Sequence, residues 1–192
     1  FISKTVEDGL SGTEVGILPM PGTDRDGRIR AIYSEERLML TEKALQGMAK
    51  AAMLIIGSAR PFLKEWTDKT GITLIEIGEM DEVAILNSIP TAEGAIQISM
   101  QEMKTTIHGS RSMVLGFGRV GMTLGRTLKA MGAEVAVVSD NEGEMARAYE
   151  MGCQRVPLCY LADNLNRVDV IFNTIPACVL TREVLRRMGP ET

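Results

Sequence analysis

The stretch Arg111-Ser112-Met113-Val114-Leu115-Gly116-Phe117-Gly118-Arg119-Val120-Gly121-Met122 decides the fold. An apolar run enters Gly-x-Gly-x-x-Gly and passes directly into a segment rich in Leu, Met and Ala, the order strand, turn, helix. Gly116 permits the tight turn, Gly118 lets a pyrophosphate approach the backbone, and Gly121 lets the helix pack closely on the strand. The helix start offers free N–H groups and a partial positive charge to phosphate. Alone the pattern is weak, and its surroundings strengthen it. A second apolar strand, Glu134 to Val138, closes on Ser139-Asp140, with Asp140 standing 24 residues beyond Gly116. The acid that binds an adenosine ribose is expected roughly 20 residues on. An acid there favours the free 2′-hydroxyl of NAD, while Ser139, Asn141 and Arg147 leave the 2′-phosphate of NADP open. The spacing predicts a Rossmann-type NAD(P)-binding domain; a flavodoxin-like domain with an empty turn is the alternative.

The same alternation extends in both directions. Helices are expected over 119–131 and 142–151, a weaker strand over 154–157 with a helical turn near Leu161, a strand over 168–172, and a helix from about Ala177. Asn173-Thr174-Ile175-Pro176 closes the strand 168–172 at the carboxyl end of the sheet, where a cofactor cleft lies. The expected cofactor set is therefore Gly116, Gly118, Arg119, Val120, Gly121, Ser139, Asp140, Asn173, Thr174, Ile175 and Pro176. Upstream, 15–20, 53–57 and 73–77 read as strands. Thr41 starts a helix to about Ala51, and Ser58 with Pro61 marks a helix through Lys69 that Gly71 ends. Pro21 to Gly27 is a loop dense in turn residues. From Pro90 to Thr106 apolar and small residues recur every three or four positions, a long helix that Ser88 or Thr91 would cap. The expected class is α/β with two parallel-sheet domains: a smaller flavodoxin-like βαβ domain over 1–88, a linking helix over 89–109, and an incomplete Rossmann domain over 110–192.

Composition narrows the function classes. A net charge of −4 with 24% charged residues, spread without a basic run, argues against nucleic acid and anionic membrane as partners. Neither a membrane-spanning stretch nor a secretory leader pattern is present, so a cytoplasmic protein is expected. Cys153, Cys159 and Cys178 lack CxxC spacing and His108 is the only histidine, so no metal site is expected. His108 precedes the first Rossmann strand at its amino end, away from a cofactor at the carboxyl ends, which favours a packing role. The 13 methionines fall mostly at helical spacing and read as core filling. Phe1 in place of Met, and a helical pattern stopped by Gly189-Pro190 with no strand after it, predict a chain cut at both ends.

The words Asp81 to Gly94 (DEVAILNSIPTAEG), Thr106 to Ser110 (TIHGS), Leu115 to Thr123 (LGFGRVGMT) and Asn173 to Pro176 (NTIP), in this order and spacing, resemble the dipicolinate synthase A-subunit family. The resemblance covers nearly the whole chain, and Asn87 to Gly94 is its most specific part. It implies an NAD(P)-dependent enzyme of spore formation, in the mother-cell cytoplasm, that oxidises a dihydrodipicolinate-type ring to pyridine-2,6-dicarboxylate. It also implies a partner, the flavoprotein-like B subunit, together with an assembly of several copies. The family often carries a basic or small polar residue where Asp140 stands, so NAD and NADP both remain open. Removing hydride and a proton from a dihydropyridine requires a base or water path beside the nicotinamide. Asn87, Ser88, Thr91 and Glu93, at the expected start of the linking helix, are the candidate catalytic residues, with Ser88 and Thr91 as helix caps the plainer reading. Two substrate carboxylates call for cations, for which Arg60, Arg119 and Lys64 are candidates. Another two-domain dehydrogenase, or a module that senses NAD(H) without chemistry, are the competing functions.

Overall fold

A computed structural model describes residues 2–20, 22–31, 34 and 36–188. Pro21 of the turn-rich loop and the Gly189-Pro190 stop lie outside the described residues. The chain forms two compact units that divide between Ala84 and Ile85.

In the first unit a short helix α1 (Val6–Leu10), capped by Thr5, precedes β1 (Val15–Ile17), α2 (Glu42–Gln46), β2 (Met53–Ile56), α3 (Pro61–Thr70) and β3 (Thr73–Glu76). The strands pair in parallel in the order β1-β2-β3. Thr41 caps α2 as its sequence position suggests, its hydroxyl accepting from Ala44 N at 3.1 Å. In α3, Pro61 sits where a missing N–H costs nothing, and Gly71 ends the helix at φ 69°. Its N-cap is Arg60 rather than Ser58, with no side-chain cap. Leu45, Leu54, Ile56 and Leu63 fill the core beneath these elements at 1% exposure or less. Each such side chain contributes roughly 1.5–3 kcal/mol through burial.

The second unit is built on β4 (Arg111–Leu115), α5 (Arg119–Ala130), β5 (Glu134–Ser139), α6 (Glu142–Glu150), β6 (Gln154–Pro157), a 3₁₀ segment (Leu158–Arg167), β7 (Val170–Asn173) and α7 (Arg182–Leu185). Its strands are all parallel in the order β6-β5-β4-β7. This is the doubly wound order, with the chain reversing direction across the sheet between β4 and β7. Apolar clusters cover both faces. Val114, Val135, Val137 and Phe172 pack on one side, and Met113, Leu115, Leu161 and Leu165 on the other. Burial on both sides explains why β4 and β5 read as continuous apolar runs.

The long helix α4 spans Asp81–Glu102, so it starts well before the expected Asn87 to Thr91 region. Pro90 lies inside it, at a position read from the sequence as near its beginning. Proline here removes one N–H but leaves the rest of the helix intact. The reading of Ser88 and Thr91 as N-caps is corrected accordingly: both lie within the helix, and their hydroxyls donate back to the carbonyls of Ile85 and Asn87. The expected boundary after residue 88 also moves, because Ala92 and Ile96 of α4 belong to the core of the second unit. From Ile85 onward the helix is thus part of that unit.

Candidate functional site

At the turn from β4 to α5, Gly116 takes φ 79°, a left-handed conformation that a side chain disfavours. A Cβ there would stand 2.9 Å from Ile175 Cγ1 and 3.0 Å from Thr174 Oγ1. One on Gly121 would collide with the Gly116 carbonyl, so the close helix–strand approach requires that glycine. Gly118 differs: a Cβ would meet nothing nearer than Glu144 Oε1 at 3.8 Å. Gly118 is the N-cap of α5 and no side chain caps the helix. The Val120 and Gly121 amides of its first turn can thus receive a phosphate, over a glycine whose surface is open. The turn fits a dinucleotide.

The loop after β7 braces this turn. Thr174 N donates to Leu115 O at 2.9 Å, and the Thr174 hydroxyl donates to the carbonyls of Leu115 at 2.8 Å and Gly116 at 3.3 Å. Asn173 Oδ1 accepts from Ile175 N at 3.0 Å, which sets the loop leading to Pro176. Thr174 and Ile175 therefore lie against Gly116, as their place at the end of the strand suggests, Asn173 pairs with Leu115 beside it, and Thr174 is committed to shaping the turn.

Glu144 is a candidate site residue that sequence reasoning missed. Its Oε2 accepts from Phe117 N at 2.8 Å and from the Ser139 hydroxyl at 2.6 Å, bridging the glycine turn to the end of β5. The neighbouring Oε1 faces Gly118 and accepts from none of the described residues. Asn141 caps α6 by accepting from Glu144 N at 3.0 Å, and this cap orients the first turn that carries Glu144. The Asn-x-x-Glu spacing just after a strand was the available signal. Ser139 is buried, its hydroxyl held by Glu144, whereas Asp140 is exposed and pairs with none of the described residues.

The candidates on α4 fall into two groups. Ser88 is 1% exposed and its Oγ lies 2.6 Å from Thr123 Oγ1, a contact that ties α4 to α5. Asn87, Thr91 and Glu93 are exposed on the helix, and Thr91 donates to Asn87 O at 2.7 Å. No helix N-terminus lies at this segment, since α4 begins at Asp81. His108 is exposed before β4, and a Cβ on Gly132 would strike its ring, which agrees with packing beside the turn after α5. Lys64 is occupied by Glu76, at 2.6 Å. Among the described residues no helix is long and apolar enough to cross a membrane.

Fold and turn together define a two-unit α/β protein with a Rossmann-type dinucleotide-binding unit. Residues 88–188 match the family described as D-isomer specific 2-hydroxyacid dehydrogenase, NAD binding domain, which makes a nicotinamide dinucleotide the cofactor class. Residues 2–78 match the family described as the N-terminal domain of the dipicolinate synthase A-subunit. The chain is 35% identical over 176 residues to the dipicolinate synthase A-subunit of Bacillus subtilis (strain 168), covering 92% of this chain and 59% of that protein. The crystal structure of the dipicolinate synthase A-subunit from Bacillus halodurans superposes with a TM-score of 0.92 at 38% identity, over 97% of this chain and 65% of that one. The corresponding dipicolinate synthase structure from Bacillus subtilis gives a TM-score of 0.83 at 32% identity, over 100% and 64%. A transhydrogenase from Sinorhizobium meliloti, at 18% identity and a TM-score of 0.62 over 79% of this chain and 54% of that one, shares the fold alone. This chain belongs to the dipicolinate synthase A-subunit family. It spans about three-fifths of the length of the curated relative it matches.

Proposed function

We propose that the protein is the nicotinamide-dependent oxidoreductase component that converts dihydrodipicolinate to pyridine-2,6-dicarboxylate in sporulating cells. We further propose that it works with a flavoprotein-like B subunit in the cytoplasm and assembles as several copies. The single observation that carries the cofactor part is the glycine turn, open at Gly118 and rigid at Gly116 and Gly121. The substrate part is supported by the family to which both units belong.

The bound dinucleotide supplies the hydride acceptor for aromatisation. The chain's own residues hold it. The amides of Val120 and Gly121 at the start of α5 would receive the pyrophosphate, with Arg119 beside it. Thr174, through Leu115 O and Gly116 O, fixes the turn, and Asn173 to Pro176 border the nicotinamide end of the cleft. Glu144 Oε1 would accept a hydrogen bond from the ribose 2′-hydroxyl, since Oε2 is already engaged with Phe117 and Ser139. A carboxylate in that place repels a 2′-phosphate, so NAD is the favoured form, with Asp140 adding charge from the surface. Asn87 and Glu93 are the exposed polar groups of α4 that remain for substrate contact or proton transfer. The test is direct: freshly generated dihydrodipicolinate is supplied with NAD+ or NADP+ to the full-length protein, with and without the B subunit. Coupled appearance of pyridine absorbance and reduced nicotinamide is expected, and reduced nicotinamide without the pyridine product would defeat the substrate assignment.

A further inference from the structure

The loop leaving β1 folds over the carboxyl ends of β1 and β2, the side on which open parallel sheets take ligands. Thr23 pairs with Ile29 in an antiparallel bridge, Asp24 N donates to Arg28 O at 3.0 Å, and Ile29 N donates to Leu38 O at 2.9 Å. Alternation along this extended segment buries Ile29 at 8% exposure and leaves Arg28 and Arg30 exposed. Arg60 arrives from another element, the start of α3 just after β2, where no side chain caps the helix. Together they surround a cavity of about 460 Å³ whose lining includes Gly22, Thr23, Asp24, Arg28, Arg30 and Arg60.

Two independent features mark this cavity as a binding site. None of the three guanidiniums forms an ion pair within 4 Å among the described residues, although Lys64, one turn along α3 from Arg60, is paired with Glu76. Among the described residues the one acid in the lining, Asp24, turns Oδ1 to the N–H groups of Asp26 and Arg28, both at 2.9 Å. Three cations and one anion among the described lining residues leave a formal surplus of two positive charges. The second feature is Thr23, which is 4% exposed and whose Oγ1 has no hydrogen-bond partner among the described residues. A buried hydroxyl without a partner is costly and calls for an account of what it bonds when the site is in use. A carboxylate oxygen would accept from it.

We propose that this cavity of the first unit binds the two carboxylates of a small planar dicarboxylate, held by Arg28, Arg30 and Arg60 and by the Thr23 hydroxyl. The charge surplus matches a dianion, the volume lies within the roughly 300–1,000 Å³ typical of small-molecule sites, and guanidinium forks suit carboxylates. Which dicarboxylate it is rests on the function proposed above; the site itself rests on the cations and the unpartnered hydroxyl.

The experiment titrates the full-length protein calorimetrically with pyridine-2,6-dicarboxylate and, for comparison, with pyridine-2-carboxylate, which has a single carboxylate. The dicarboxylate is expected to bind more tightly, and Arg60→Gln or the pair Arg28→Gln with Arg30→Gln to weaken it by about tenfold or more. All three arginines are exposed, so these variants keep the fold. Thr23→Val gives a signature that a purely structural threonine lacks: higher thermal stability without ligand and weaker dicarboxylate binding with it. Equal affinity in wild type and the arginine variants overturns the proposal, as does a wild-type protein that binds a nicotinamide dinucleotide but no dicarboxylate. Turnover assays on the same proteins separate the two ideas. Oxidation of dihydrodipicolinate with an unchanged KM in the arginine variants sinks the cavity and leaves the function. Arginine-dependent dicarboxylate binding without turnover, B subunit included, sinks the function and leaves the cavity.

Discussion

In the proposed function Glu144 takes the role that spacing assigns to its neighbour Asp140. Counting from Gly116 leads to Asp140, yet that carboxylate is exposed, while the acid in contact with the turn comes from the first turn of α6. Replacement of Glu144 by Gln keeps an oxygen for Phe117 N–H and the Ser139 hydroxyl and removes only the charge. The ratio of NADP+ to NAD+ affinity is therefore expected to rise about tenfold, the equivalent of roughly 1.4 kcal/mol. Asp140→Asn should change that ratio less. Dissociation constants for both dinucleotides with the two variants check this, and a larger effect at Asp140 would return the role to the strand end.

At the scale of elements, α4 and β3 make separable claims. Ser88 binds α4 to α5 inside a buried contact with Thr123, so Ser88→Ala is expected to lower stability by about 1 kcal/mol while leaving turnover of the folded protein near wild type. A drop in kcat at full stability would restore Ser88 as a reacting group. Glu76 closes β3 and joins two other elements, accepting from Ala59 N at 2.7 Å and pairing with Lys64 of α3. Desolvation pushes its carboxyl up, but the hydrogen bonds from Lys64 and Ala59 outweigh it and hold the group below the usual range. A carboxyl depressed in the folded state contributes stability above its unfolded value, and that contribution is lost as pH falls through the folded one. Wild type should thus exceed Glu76→Gln in stability at neutral pH, and the gap should close in the acid range below the ordinary carboxylate value. Denaturant midpoints measured across that range check the sign.

For the whole molecule, the parallel sheets were legible because buried strands and glycine turns leave periodic, local marks. Even the weak signal at 154–157 became β6 (Gln154–Pro157). Helix α4 was misplaced because Pro90 looks like a start, and in sequence a proline that interrupts a helix resembles one that opens it. Helix α1 is only five residues long, too short for a period to show. The glycines of the site were readable since each answers a local backbone demand. Glu144 was not, because it meets Phe117 across 27 residues; Thr174 was expected at the cofactor but not as the brace of the turn, since it reaches Leu115 across 59. The arginine cavity is hidden in the same way: Arg28, Arg30 and Arg60 come together only through the fold of the first unit.

Cofactor binding requires a dinucleotide lying over Gly118, and the most direct measurement is an equilibrium titration of full-length wild type and Gly118→Asp with NADH, followed by fluorescence. Gly118 has φ −73° and open space beyond it, so aspartate is accommodated by the fold but puts a carboxylate where the pyrophosphate would lie, close to Glu144. Saturable binding by wild type and none by a Gly118→Asp protein of unchanged circular dichroism is the expected result. Equal binding by the two proteins would contradict it.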